Sequence, residues 1–180
     1  MSAHLKQKIL KSLLWVPVIV FVNNHVVSAT FIQGRSMQPA LNPDKNLMAK
    51  DLVILNKMVS GSLSKKFIKR GDVVTLRSPS DPDSIIIKRI IGLPGDIIEP
   101  IQVHNKSHKL PDKLKIPEGH CWVEGDEGFH SIDSNTFGYI PLGLVHGRAS
   151  FVLYPFSNMG FIGKSIPEWK KKRISPGNNE

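Results

Sequence analysis

The pattern of apolar and polar positions divides the chain into two regimes. Between residues 13 and 32 apolar side chains run almost without a break. They begin Leu13-Leu14-Trp15-Val16-Pro17-Val18-Ile19-Val20-Phe21-Val22, pause at Asn23, Asn24 and His25, and resume at Val26. At about 1.5 Å per helical residue the stretch is long enough to cross a bilayer, and its polar trio then faces a partner helix or an interface. Lys6, Lys8 and Lys11 precede it and no acidic residue appears before Asp44. That bias keeps the N-terminus on the side of synthesis and sends everything after residue 33 across. A cleavage site at Ser28-Ala29-Thr30 would fall only a few residues before Ser36, so the expectation is an uncleaved anchor over 13–32 behind a basic segment over 1–12. A buried core helix is the alternative.

Beyond Pro43 the pattern becomes one of short β-rich runs separated by turns. Asp51 to Asn56, Asp72 to Arg77, Ser84 to Ile91, Asp96 to Glu99, His120 to Val123 and Ala149 to Tyr154 read as strands, punctuated by Gly71, Pro94-Gly95 and Gly125. The expected fold is mainly β over 33–163, with antiparallel coiled or barrel-like sheets. Val59 to Lys69 and Lys106 to Lys115 read as polar, basic loops. Residues 164–180 read as a basic tail, solvated and mobile after Pro167.

Composition narrows the function classes. The 180 residues suit one domain with a true core, since 41% are hydrophobic. A net charge of +9 would fit nucleic acid or anionic lipid. The cations are dispersed, however, among residues 6–11, 65–70 and 170–173, with no aromatic platform between them, which argues against a nucleic-acid module. Cys121 is the one cysteine, excluding an intramolecular disulfide and a Cys-rich zinc site; beside Trp122 it reads as a small buried hydrophobe.

The candidate chemistry begins at Gly34-Arg35-Ser36-Met37-Gln38-Pro39-Ala40-Leu41, where Ser36 is the candidate nucleophile. A glycine and a proline restrict the backbone around it and display the hydroxyl. Ser-x-x-Pro is also common in ordinary turns, so the assignment depends on a base. In Ser84-Ile85-Ile86-Ile87-Lys88-Arg89-Ile90-Ile91 alternation places Lys88 with Ile86 and Ile90, and Arg89 with Ile85, Ile87 and Ile91. Arginine stays charged when buried, whereas lysine can give up its proton. Bringing a lysine from about 10.4 to about 8 costs on the order of 3 kcal/mol, within reach of a packed domain. The rival base is His130, close to Asp133 in sequence, which would make a Ser-His-Asp enzyme.

The run from Gly34 to Leu41, then Lys88-Arg89-Ile90-Ile91-Gly92-Leu93-Pro94-Gly95-Asp96, then Gly125-Asp126 with Ser131-Ile132-Asp133-Ser134, resembles the type I signal peptidase family, in the family's order, over roughly residues 30–155. The resemblance implies Ser36 as nucleophile, Lys88 as general base, Ser131 as the hydroxyl orienting the amine, and Asp133 as a carboxylate bracing the loop. Where the family usually places an arginine to pair with that carboxylate this chain has Asn135, and Gly34 stands where some bacterial relatives carry an oxyanion-binding serine. Gly119 to Gly138, with Asn135, is similar to the second-subunit branch of the mitochondrial inner membrane peptidases.

That branch implies a Ser/Lys endopeptidase removing hydrophobic sorting signals from imported precursors. It implies a second peptidase subunit, the mitochondrial inner membrane, and a site facing the intermembrane space, with no metal or organic cofactor. Substrates would carry small residues at the first and third positions before the cut, held as an added strand against walls that include Met37, Ile86 and Ile87. A noncatalytic, membrane-anchored subunit stabilising a partner peptidase is the competing reading.

Overall fold

The computed structural model describes residues 7–8, 11–43, 50–59, 67–102, 110–128 and 131–177. Helix α1, Val16–His25, leads into strand β1, Val27–Ile32, followed by β2, Asp51–Asn56, β3, Val73–Arg77, and β4, Ile85–Gly92. Then come β5, Ile97–Ile98, β6, Leu114–Lys115, β7, His120–Glu124, and the short helix α2, Ser134–Phe137. The chain continues with β8, Ile140–Pro141, β9, Val145–Tyr154, β10, Gly160–Phe161, helix α3, Glu168–Lys171, and β11, Ile174–Ser175.

All strand pairs are antiparallel, as the alternating runs predict. The main sheet runs β1-β2-β9-β3-β4-β7-β8 with β10 on β9, so its path has two ends rather than closing on itself; a smaller sheet runs β11-β5-β6. Central position explains why β4 is buried on both faces from Ile87 to Gly92. One face contributes Ile90 to a core with Val74, Leu76, Cys121, Val123 and Val145, and the other contributes Ile87 to a core with Met37, Leu41, Val53 and Val152. Lys88 and Arg89, 4% and 2% exposed, are carried into the interior by the same strand.

The anchor expected over 13–32 is not one helix. Residues 27–32 form β1, whose six residues pair in unbroken register with β2 from Val27–Asn56 to Ile32–Asp51. Its burial alternates up to a buried Ile32, the signature of an edge strand with one face on the core. The helix ends at His25, the last of the three poor helix formers Asn23, Asn24 and His25 that follow the apolar run. No helix among the described residues is long and apolar enough to cross a membrane. Every residue of α1 is nonetheless exposed, Val18, Ile19 and Phe21 at its apolar surface among them.

The mobile tail is also corrected. Ile166 joins Ile91, Ile98, Ile116 and Trp122 in a third core cluster, and β11 adds a strand to β5. Lys170 is 1% exposed, and its Nζ lies 3.3 Å from Glu124 Oε2, while Arg173 pairs with Glu124 Oε1. Further on, Gly177 N–H donates to Asp96 Oδ1 at 3.1 Å, on a carboxylate that also takes Arg70. Buried Glu124 at the end of β7, not solvent, receives these cations. Of the two expected basic loops, residues 60–66 and 103–109 lie outside the described residues; Val59 and Ile68 are core residues and Leu114-Lys115 is β6.

Deleting residues 164–180 strips Glu124 of both cations and uncovers Trp122. The truncated chain is expected to lose on the order of 3–5 kcal/mol of stability, the cost of breaking a buried ion pair, read by denaturant unfolding on tryptophan fluorescence. Unchanged stability would mean that the tail is an ornament on a finished domain.

Candidate active site

The segment carrying Ser36 is held from below. Gly34, at φ +95°, turns the chain out of β1 in a conformation open to glycine. Met37 and Leu41, 2% and 1% exposed, then sink into the core, so the half-buried Ser36 between Arg35 and Met37 lies above an apolar footing. Met37 is therefore core rather than a wall of the substrate site: a side chain next to the displayed serine points to the opposite side of the turn. Asn42 latches the far end. Its Nδ2 donates to Ile32 O at 3.2 Å and Gly34 O at 3.0 Å, and its Oδ1 accepts from Asp51 N–H at 2.8 Å. Asn42 N–H in turn donates to Asp51 Oδ2 at 2.9 Å. The sequence reading missed this asparagine, which has no signal beyond its place beside Leu41 and Pro43.

A second segment comes in from β7. Glu127 N–H donates to Ser36 O at 3.1 Å, tying the two together. A Cβ built on Gly125 would lie 2.5 Å from Ser36 O and 2.4 Å from Ser131 Oγ, so only the absence of a side chain lets these three residues meet. Ser131 Oγ is buried without a hydrogen-bond partner among the described residues. Its hydroxyl is available to a group in the site. Asp133 Oδ2 accepts from Gly125 N–H at 3.0 Å, and its Oδ1 accepts from Asn135 N–H and Nδ2, both at 3.1 Å, capping α2. Asn135 Oδ1 accepts from Ile101 N–H at 2.8 Å. An amide thus occupies both ends of the brace where an arginine would offer donors alone.

Lys88 and Ser36 line one groove of about 610 Å³. Its walls include Ile86 and Ile87 from β4, Thr30 and Ile32 from β1, and His146 from β9. Burial pushes the Lys88 amine below the ordinary lysine range; Asp133 opposes the shift and Lys170 adds to it. The neighbouring cation is treated differently. Arg89 makes a two-pronged pair with Asp126, Nε–Oδ1 at 2.7 Å and Nη2–Oδ2 at 2.6 Å, and its Nη1 donates to Gly71 O and Gly163 O. One strand thus buries two cations, and the one that cannot lose its proton receives the carboxylate.

His146 is the groove residue that sequence reasoning missed. Burial, then the charges of Lys57 and Arg77, hold its imidazole below the usual histidine range, so it is neutral near pH 7. His130, the rival base, lies outside the described residues. Cys121, fully buried, has its thiol pushed up to about 12 by burial, which leaves it an inert packing group.

Gly125→Ala tests the convergence directly. The added methyl is expected to force Ser131 and the Ser36 backbone apart, costing about 1–3 kcal/mol of stability and far more in turnover, since the hydroxyl and the nucleophile share the displaced contact. Thermal unfolding beside a peptide-cleavage rate distinguishes the two effects; wild-type turnover would refute the crowding.

Comparison with known proteins supplies the family. The profile of the family described as "Signal peptidase, peptidase S26" matches residues 5–154. Mitochondrial inner membrane protease subunit 2 of Schizosaccharomyces pombe is 47% identical over 149 residues, covering 83% of this chain and 77% of that protein. The protein of the same name from Danio rerio is 42% identical over 152 residues, covering 84% of this chain and 78% of its own. Mitochondrial inner membrane protease subunit 1 of Mus musculus is 38% identical over 143 residues, 78% of each chain. With a serine and a buried lysine in one groove and matches that span most of its length, this chain belongs to the S26 signal peptidase family.

Proposed function

We propose that the chain is a membrane-associated serine endopeptidase in which Ser36 is the nucleophile and Lys88 the general base. Its substrates are hydrophobic sorting sequences of proteins delivered to the mitochondrial intermembrane space. The observation that carries this reading is a lysine 4% exposed, with its pKa lowered by burial, lining the same groove as Ser36. A neutral amine takes the Ser36 proton as Oγ attacks the scissile carbonyl carbon. The resulting ammonium returns that proton to the leaving amine as the C–N bond breaks. Water then attacks the acyl-enzyme with Lys88 again as base, and Oγ leaves with a proton. Ser131 Oγ orients the amine, Asp133 braces the loop, and the Ser36 backbone N–H is one oxyanion donor.

Two strand edges left unpaired among the described residues support the mode of substrate binding. β1 ends the main sheet, and β7 pairs β4 only from Arg89 onward, leaving Ile85 to Lys88 with a neighbour on one side. Both border the groove. An extended peptide added there would send alternate side chains against Ile86, Ile87 and Ile32, which favours small residues at the first and third positions before the cut. The exposed apolar surface of α1 is the membrane contact, and the names of the relatives support the mitochondrial inner membrane and a second subunit as partner.

Ser36→Ala is expected to lower cleavage by on the order of 10³-fold or more while assembly with the partner persists. Processing intact in that variant would favour a noncatalytic subunit. Lys88→Arg, which keeps the charge and cannot act as a base, is expected to be nearly as inactive. Phe at the third position before the cut should slow cleavage of a peptide series that Ala supports; equal rates would remove the two-pocket model.

The lowered Lys88 pKa also has a sign. Cleavage should rise with pH through the folded-state pKa, which lies below 10.5. Below it the folded protein must hold an ammonium in an apolar site, so stability falls as pH drops through that value, and Lys88→Met relieves the cost. The variant should be inactive yet more stable near neutral pH, read as a higher Tm. A lower Tm would show that the amine is held by partners rather than strained by burial.

A further inference from the structure

Lys170 lies outside the segment matched by the family profile, residues 5–154, yet it reaches the glycine on which Ser36 and Ser131 converge. It is the one buried residue of α3, at 1% exposure, while Lys171 and Lys172 on either side of the next bond point to solvent. Its Nζ donates to Gly125 O and lies 3.3 Å from Glu124 Oε2. The residue whose carbonyl it grips also gives its N–H to Asp133 and presses its Cα against Ser131 and the Ser36 carbonyl. Three parts of the chain distant in sequence therefore meet at Gly125: the Ser36 segment, the stretch holding Gly125 with Ser131 and Asp133, and Lys170, which closes one side of the junction.

We propose that Lys170 is a positioning residue for the dyad, holding the Gly125 peptide against Ser36 and Ser131 and setting a positive charge within electrostatic reach of the Lys88 amine. The inference rests on the Ser36 and Lys88 reading of the site and adds a tuning element to it. A like charge disfavours a second ammonium, so Lys170 assists burial in keeping Lys88 neutral, against the pull of Asp133. The other charges around the pair are arranged to leave that effect in place. Glu124 on β7 is shared among Lys170, Arg173 and Trp122 Nε1, Asp126 is engaged by Arg89, and His146 across the groove is held neutral.

The test measures kcat/KM against pH for the full chain in its native membrane assembly. The probe is an internally quenched peptide carrying an apolar stretch with Ala at the first and third positions before the cut. Lys170→Met is expected to move the acid limb of the profile up by roughly half a pH unit or more, because Lys88 then protonates more readily. KM should change less than about twofold, since Lys170 does not line the groove. Lys170→Arg, keeping the charge, should restore the wild-type limb.

Where Lys170→Met lowers the yield of folded enzyme, Lys170→Gln, which removes the charge, keeps a side-chain donor for Gly125 O and leaves Glu124 with Arg173 and Trp122 Nε1, is read in its place with the same expected direction. A limb that stays at its wild-type pH in the variant read overturns the proposal, even if turnover drops, because loss of rate alone is what a purely structural contact would produce. Failure of the underlying reading looks different: wild type and Ser36→Ala would then process the peptide equally, at every pH.

Discussion

The geometry of the site depends on close approach at Gly125. Ser36 O, Ser131 Oγ and the Gly125 Cα occupy a space in which one further carbon would sit within 2.5 Å of two neighbours. The peptide groups on either side are both committed, N–H to Asp133 and C=O to Lys170. Interiors pack at crystal-like density, so such a junction has one arrangement rather than many. Ser36, which arrives on a loop, is thereby referred to the sheet through β7 and to the tail through α3. Loops place chemistry well when a rigid scaffold holds them, and here the scaffold is a single glycine with its two hydrogen bonds.

Around that junction the protein sets two buried cations on adjacent residues of β4 to opposite uses. Arg89 is neutralised by Asp126 and by two carbonyls, a set that matches the planar guanidinium. Lys88 receives apolar neighbours, a hydroxyl side chain nearby and a distant carboxylate, and its pKa falls. The alternation of the strand sends the two side chains to opposite faces, which is what allows one to be paired and the other desolvated within 3.8 Å of backbone. Burying an unpaired amine weakens the fold below its pKa. Such local cost is characteristic of sites whose chemistry needs a base near neutral pH.

The tail and the N-terminal segment complete the domain in opposite senses. Residues 164–177 bring two cations to Glu124, a backbone N–H to Asp96 and an isoleucine to Trp122, turning a surface of buried acids into a closed corner. Residues 16–25 bring apolar surface that stays exposed among the described residues. A large exposed apolar surface of that kind marks contact with a membrane or another protein. The unpaired edge of β1, directly after it, borders the groove, so the surface that meets the partner phase and the strand that meets the substrate are consecutive in sequence.

Where the chain's own pattern determined structure, the determinants were local. Period-two runs of β-branched residues such as Asp51 to Asn56 and Ser84 to Ile91 became strands because alternation leaves few other ways to bury them. The isoleucines flanking Lys88 already implied a desolvated amine, since strand neighbours are sequence neighbours. Tertiary structure decided the rest. An apolar run states that its residues leave water but not into what, so Val27–Ile32 became a strand only because β2 offered six backbone partners. Met37 became core because the loop closes over Leu41 and Val53. Lys170 and Arg173 look like solvated charges until Glu124 is placed beside them, and His146 and Asn42 are silent until strands far apart in sequence share a groove or a latch. In each case the sign of the energy, burial or exposure, is set by a partner distant along the chain, which no local pattern encodes.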